Sequence, residues 1–313
     1  MTKNIAIIGG GLSGLTCAKG LAEAGHKVTL FDKGRGPGGR MSTRRMDTPQ
    51  GSRHFDHGAP WFLAEHPDFV DLLEQWAEQG VVARWPDPEG PSWVGVPAMN
   101  ALVRQAGLGM DVRYGVQITA LVKARQDWWL HEGLKPHGPF DAVVLAIPAE
   151  QAALLAGLHD FSMARAAAEV VSIPCWTAMF AFDAPLDAPD IISEAGPIHL
   201  ALRNNAKPGR PDGCCWVVQA DEDWSRQHLE EDNAKVAGML LAALQEATAS
   251  TQEPALAAAH RWRFAQPAGG CLSRKAFWNA GLQLGACGDW LAGSGVEAAW
   301  LSGRDLAQRM VQG

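Results

Sequence analysis

Gly9, Gly11 and Gly14 have the spacing of a loop that cradles a pyrophosphate. The first glycine permits a tight turn, the second lets backbone approach phosphate oxygens, and the third lets a helix pack closely on a strand. Leu12 and Ser13 lie where a helix N-terminus offers free N–H groups and a partial positive charge to an anion. Asp32, followed by Lys33, ends the next apolar run, where a carboxylate can accept from ribose hydroxyls. These residues point to some dinucleotide.

Two further motifs choose between dinucleotides. Lys33 to Met41 runs K-G-R-G-P-G-G-R-M, where a simple NAD dehydrogenase would continue into a helix. A loop ending in Gly39-Arg40-Met41 suits a second pass over the pyrophosphate, with Arg40 as counter-charge. Near the far end stand Gly288-Asp289 and then Gly293 to Glu297. Asp289 is suited to accept from a ribityl hydroxyl. A helix beginning at Val296-Glu297 would aim its N–H groups at the flavin N1–C2=O edge, which is negative when reduced. The expected cofactor is therefore FAD. Gly58, Ala59, Ile118 and Ala146 are further expected contacts to it.

The surrounding pattern predicts the elements that position these residues. Residues 4–8 read as a buried parallel strand, 12–25 as a helix and 26–32 as a second strand. Residues 33–60 read as extended loop. Helices are expected at 68–79, 98–107, 149–157 and 161–170, and strands at 111–124, 126–132 and 140–147. Residues 83–97 read as irregular or short strand. A different texture begins near 173, with strands at 176–183 and 214–220 and one long helix over 226–249. Residues 282–287 return as a strand, 288–295 as a turn and 296–312 as a helix. The fold class is α/β. The FAD-binding domain is expected from 1–58, 93–160 and 268–313, and the substrate domain from 59–92 and 161–267.

Composition narrows the partners. The 313 residues include 27 Lys plus Arg and 34 Asp plus Glu, so no basic excess favours nucleic acid. No apolar run has the ~20 residues of a membrane span, and Gly9 leaves no room for a signal peptide before it. A soluble cytoplasmic protein is expected, with a monomer as the default. Cys17, Cys175, Cys214, Cys215, Cys271 and Cys287 have neither zinc nor disulfide-framework spacing, so no metal is expected. Thirteen tryptophans against one tyrosine fit either plain core packing or an aromatic pocket for a flat substrate.

The chain resembles the glutathione-reductase-like FAD superfamily on its amine-oxidase branch, and within it the bacterial renalase-like proteins. The resemblance rests on DKGRGPGGRMSTR (32–44), FDHGAPWF (55–62), WVGVPAMNALVR (93–104), VVLAIPAEQAALL (143–155), PCWTAMFAFDAPL (174–186), LALRNNAKPGR (200–210), WVVQADEDWSRQHLE (216–230), AHRWRFAQPAG (259–269) and CGDWLAGSGVEAAWLSG (287–303). It implies a Rossmann-like, two-domain FAD fold with an inserted mixed-sheet substrate domain of the amine-oxidase type. It also implies hydride transfer from 2- or 6-dihydro isomers of NAD(P)H to flavin N5, with O2 reduced to hydrogen peroxide. Amine oxidases of the superfamily place a lysine near N5 from the strand corresponding to 174–183, which here has none. By the same resemblance Trp61, Trp176, Trp216 and Trp262 are candidate stacking walls, and His260 and Arg261 candidate contacts, with Trp61, Trp176, His260 and Trp262 as the expected catalytic set. The chain departs from the family pattern at Pro60-Trp61, Ala98, Gln219 and Ala298, on pocket-facing motifs. Two other readings stand beside this one: an FAD enzyme acting on another amine or small molecule, and a protein that uses FAD structurally or for redox-neutral chemistry.

Overall fold

The computed structural model describes residues 1–48, 51–87, 90–268 and 274–312. Cys271 and Gly269, the last residue of the 259–269 motif, lie outside them.

Asn4–Ile8 is apolar after its first residue and buried, and it sits inside a six-stranded sheet. Lys27–Asp32 pairs with it in parallel on one side and Ala142–Leu145 on the other. Asp111–Tyr114 extends the sheet in parallel beyond Lys27–Asp32. Leu284–Ala286 extends it in parallel beyond Ala142–Leu145, and Phe277–Asn279 closes that edge antiparallel. The chain thus winds one way from Asn4–Ile8 and returns later on the other side. The crevice at the carboxyl ends of Ile8 and Leu145 is a topological switch point, where open α/β sheets bind ligands.

Helix Leu12–Glu23 joins the first two strands and buries Leu15, Ala18 and Leu21. Each such leucine contributes about 2 kcal/mol of apolar burial. The C-terminal helix Val296–Gln312 packs against it so closely that a Cβ on Gly303 would lie 2.1 Å from the Ser13 carbonyl oxygen. Cys17 and Cys287 are buried in this core as small apolar groups.

A second, five-stranded sheet has the order Ile191–Ala195, Ile198–Arg203, Cys214–Ala220, Ser172–Phe182, Leu256–Pro267. All its pairs are antiparallel, so the mixed sheet of this molecule is the six-stranded one. Strand alternation decides what each residue of the second sheet can do. Trp176, Ala178, Phe180, Trp216 and Val218 face helix Asn233–Ala247 and pack on Val236, Leu240 and Leu244. Met179, Ala181, Cys215 and Val217 face the other way, onto Phe55.

Several expectations change. The 33–60 stretch contains a hairpin, Thr43–Thr48 with Gly51–Asp56, because Thr, Arg and Met alternate there with a pairing partner available. Val82–Asp87 and Gly90–Gly95 pair antiparallel as a second hairpin. The 111–124 strand divides: Asp111–Tyr114 joins the parallel sheet, while Ala120–Ala124 joins Asp127–Glu132 and Lys135–Phe140 in an antiparallel sheet. The expected 226–249 helix is two, Glu222–Gln227 and Asn233–Ala247. Asp232 separates them, accepting from the Ala234 amide at 2.8 Å as an N-cap.

Candidate functional site

At the switch point, Gly9 has φ +109, and a Cβ on it would lie 2.1 Å from the Ala146 carbonyl oxygen. A Cβ on Gly14 would lie 2.2 Å from the Gly9 carbonyl oxygen. Both positions are fixed by the protein's own packing. Gly11 differs: its backbone is ordinary extended chain (φ −78, ψ 178), and nothing lies within 4 Å of where its Cβ would be. It is also the N-cap of Leu12–Glu23, without a side-chain cap. The open space and uncapped amides are what a pyrophosphate requires.

Asp32 closes the loop from the sheet side. Its carboxylate accepts from the Gly10 and Gly34 amides, both at 2.6 Å. Its carbonyl accepts from the Val116 amide at 2.9 Å, which brings the segment leading to buried Ile118 alongside. Lys33 is exposed. Gly39 abuts Gly11, with its Cβ direction 3.9 Å from the Gly11 Cα, so the two glycine loops meet. Met41 is buried in the first core.

Arg40 and Asp289 are paired with each other through two bonds of 2.8 and 2.6 Å. Arg40 also reaches the Ala265 carbonyl at 3.3 Å. Gly58 packs on Arg40, where a Cβ would lie 1.9 Å from the Arg40 carbonyl oxygen, and the Ala59 amide donates to that same oxygen at 2.8 Å. The glycine loop, the 288–289 motif and the 57–59 segment thus converge.

The second sheet presents one face to this place. Thr177 pairs laterally with Gln219 and His260, and Cys175 with Trp262. Gln219 donates to the Gly58 carbonyl at 2.7 Å, and the Trp262 indole N–H to the His57 carbonyl at 2.7 Å. Three rings gather here: His57 lies 5.0 Å from His260 and 5.2 Å from Trp262, and His260 lies 4.4 Å from Trp262 between centroids. Burial, then His260 and Arg44, push the His57 imidazole down to about 4. Burial and then Arg44 lower His260 as well. Nδ1 of His57 is buried without a partner among the described residues. His57 was not singled out from sequence, although its neighbour Gly58 was. The available signal was its place between Asp56 and Gly58 in the 55–62 motif.

Other expected contacts fall elsewhere. Trp176 is fully buried on the helix-facing side, with its indole N–H on the His228 carbonyl at 3.0 Å. Trp216 is buried on the same face. Period-two alternation puts both on the opposite side from Thr177 and Gln219, so they are core rather than walls. Arg261 shares their side, donating to the Leu229 carbonyl at 2.6 Å. Trp61 is half-buried against the first core, and Val296 likewise. Glu297 takes the Glu65 and His66 amides at 2.8 and 2.7 Å. Its carboxylate is therefore a tie to the start of helix Pro67–Glu78, leaving only its backbone to face a cofactor. Glu297→Ala should lower stability by about 1–2 kcal/mol while FAD stoichiometry stays unchanged. Urea denaturation and the flavin absorbance of purified protein check this, and loss of FAD without loss of stability would contradict it.

Directly before His57 lies a buried charge cluster. Asp56 accepts from Lys207 at 3.2 Å, from Arg210 at 3.2 and 2.6 Å, from the Thr43 hydroxyl at 2.6 Å and from the Met99 amide at 3.0 Å. Burial by itself would raise the Asp56 carboxyl. Lys207 and then Arg210 outweigh it, helped by Thr43 and Met99, and hold the acid well below the usual carboxylate range. Burial pushes the Lys207 ammonium down to about 8 despite Asp56.

Among the described residues, no group of three or more His, Cys, Asp or Glu side chains could hold a metal ion, and no helix is long and apolar enough to cross a membrane.

Comparison with known proteins agrees with this geometry. Residues 7–76 match an NAD(P)-binding Rossmann-like domain. A bifunctional tRNA 5-methylaminomethyl-2-thiouridine biosynthesis protein of Magnetococcus marinus is 27% identical over 46% of this chain and 29% of its own. An L-amino-acid oxidase of Daboia russelii is 54% identical over 14% of this chain and 8% of its own. The chain spans less than a third of the length of these curated relatives. The fold is shared with a protein of Exiguobacterium sp. 255-15 assigned as a protoporphyrinogen oxidase, at TM-score 0.81, 13% identity and coverage of 100% and 99%. Cyclohexylamine oxidase of Brevibacterium oxydans superposes at TM-score 0.74 with 11% identity and the same coverage. Residues 86–311, most of the chain, match the flavin-containing amine oxidoreductase family, so the cofactor is FAD and the chain belongs to that family.

Proposed function

We propose that this protein is an oxidase of dihydronicotinamide isomers, the 2- and 6-dihydro forms of NAD(P). The observation that carries the reading is the His57–His260–Trp262 ring cluster beside Gly58, with both imidazoles shifted toward the neutral form. Oxidising such a ring needs little acid–base help, because aromatisation drives hydride loss. The site must hold a flat ring in place and exclude competing chemistry. Neutral imidazoles and an indole suit that task.

Bound FAD would supply a two-electron acceptor for hydride from the substrate, with NAD(P)+ as product and O2, taking two electrons and two protons, as the final oxidant giving hydrogen peroxide. In this reading Gly9, Gly11, Leu12, Ser13 and Gly14 hold the pyrophosphate, and Asp32 a ribose. Arg40 would hold the phosphate and Asp289 the ribityl chain. The 1–58, 93–160 and 268–313 segments form the FAD-binding domain, and 59–92 with 161–267 the substrate domain.

A second reading is oxidation of an amine, for which the family name and the electron-rich indole face speak. Anaerobic stopped-flow mixing separates them. Flavin bleaching by 2- or 6-dihydro-NAD(P) at least tenfold faster than by amines or ordinary NAD(P)H is the expected result. Bleaching by amines alone would overturn it. FAD retained with no bleaching by any donor would favour a structural use of the cofactor.

A further inference from the structure

The Asp56 cluster holds one carboxylate and two cations, all three side chains with 0–1% exposure. Asp56 is the one acid within ion-pair distance of either cation among the described residues. Arg210 already satisfies it through two bonds and anchors itself on the Gly95 and Pro208 carbonyls at 2.5 and 2.8 Å. Asp56 and Arg210 alone would make a neutral, well-bonded pair. Lys207 adds a second cation whose Nζ makes a single hydrogen bond, to Asp56, among the described residues. A buried ammonium in surplus is a burden on the fold, since removing it from water costs more than a shared acid returns.

The cluster as a whole keeps a net positive charge, which can act on a neighbour. Asp56 is two residues from Gly58, which packs on Arg40 beside the glycine loop. FAD becomes more negative on reduction, and a fixed cation in a low-dielectric surround stabilises that state. We propose that Lys207 is an electrostatic tuning residue, its surplus buried cation raising the reduction potential of the bound FAD. The proposal rests on FAD being the cofactor and is independent of which substrate delivers the electrons.

The test is reductive titration of the holoenzyme with dithionite against a reference dye, beside urea denaturation of each variant. Lys207→Met removes the surplus charge and keeps most of the volume. Its equilibrium constant for reduction should fall about tenfold, a negative shift of about 30 mV for a two-electron couple, with stability equal to or above wild type. The double variant Asp56→Asn with Lys207→Met restores the net charge of the cluster and should return the potential toward wild type. A merely structural role would not produce that return. An unchanged potential in folded Lys207→Met overturns the proposal. So does a Lys207→Met protein that is less stable or fails to fold, because the lysine is then needed by the fold. A double variant that stays as low as the single one also overturns it.

Discussion

Asp56→Asn should destabilise the protein by about 3–5 kcal/mol, the range for removing one partner of a buried ionic network. The amide can still accept from Thr43 and Met99, which donate to Asp56 at 2.6 and 3.0 Å. What it loses is the charge facing Lys207 and Arg210, and its own N–H groups would point at those two cations. Both are fully buried, so water cannot take over. Typical domains are stable by only about 5–15 kcal/mol, so the variant should have a much lower urea midpoint and a small folded margin. The slope of the transition should stay the same, because the surface exposed on unfolding does not change. Adding Lys207→Met should recover part of the loss, since it removes one of the stranded cations. A single Asp56→Asn variant as stable as wild type would mean the network does not brace the segment leading to His57 and Gly58.

Asp56 was legible in sequence only as part of a motif, and the reason is physical. Its partners Lys207 and Arg210 come from the segment between two strands of the second sheet, about 150 positions away. No local periodicity marks such a meeting. The first strand, glycine loop and helix are the opposite case. Their apolar runs and glycine spacing are local, and Asn4–Ile8, Leu12–Glu23 and Lys27–Asp32 appear where the pattern places them. Trp176 and Trp216 are a different case. Tryptophan type indicates an aromatic wall or a core equally, and only the register of Ser172–Phe182 against Cys214–Ala220 assigns the face. His260 and Trp262, two residues apart on Leu256–Pro267, necessarily share a face, and it is the face turned toward Gly58. Glu297 was expected at the cofactor from its position at a helix start, but two backbone amides from a separate segment claim its carboxylate.

Gly11→Ser should separate cofactor binding from folding. Gly11 has a backbone conformation open to any residue, and its Cβ direction is unobstructed. Serine is a better N-cap than glycine, because its hydroxyl can accept from the free amides of the first helical turn. The apo protein should therefore be as stable as wild type or slightly more so. The same hydroxyl would occupy the space and the amide donors we propose for the pyrophosphate, so FAD affinity should fall at least tenfold, about 1.4 kcal/mol or more. Gly14→Ser is the contrasting variant, because its Cβ would lie 2.2 Å from the Gly9 carbonyl oxygen. Backbone would have to move, and stability and FAD binding should fall together. Urea denaturation of the apo proteins and titration of FAD by fluorescence quenching read the two quantities separately. If Gly11→Ser binds FAD as tightly as wild type, the open space above Gly11 is not where the pyrophosphate lies. If it unfolds like Gly14→Ser, the glycine is held by packing rather than by the ligand.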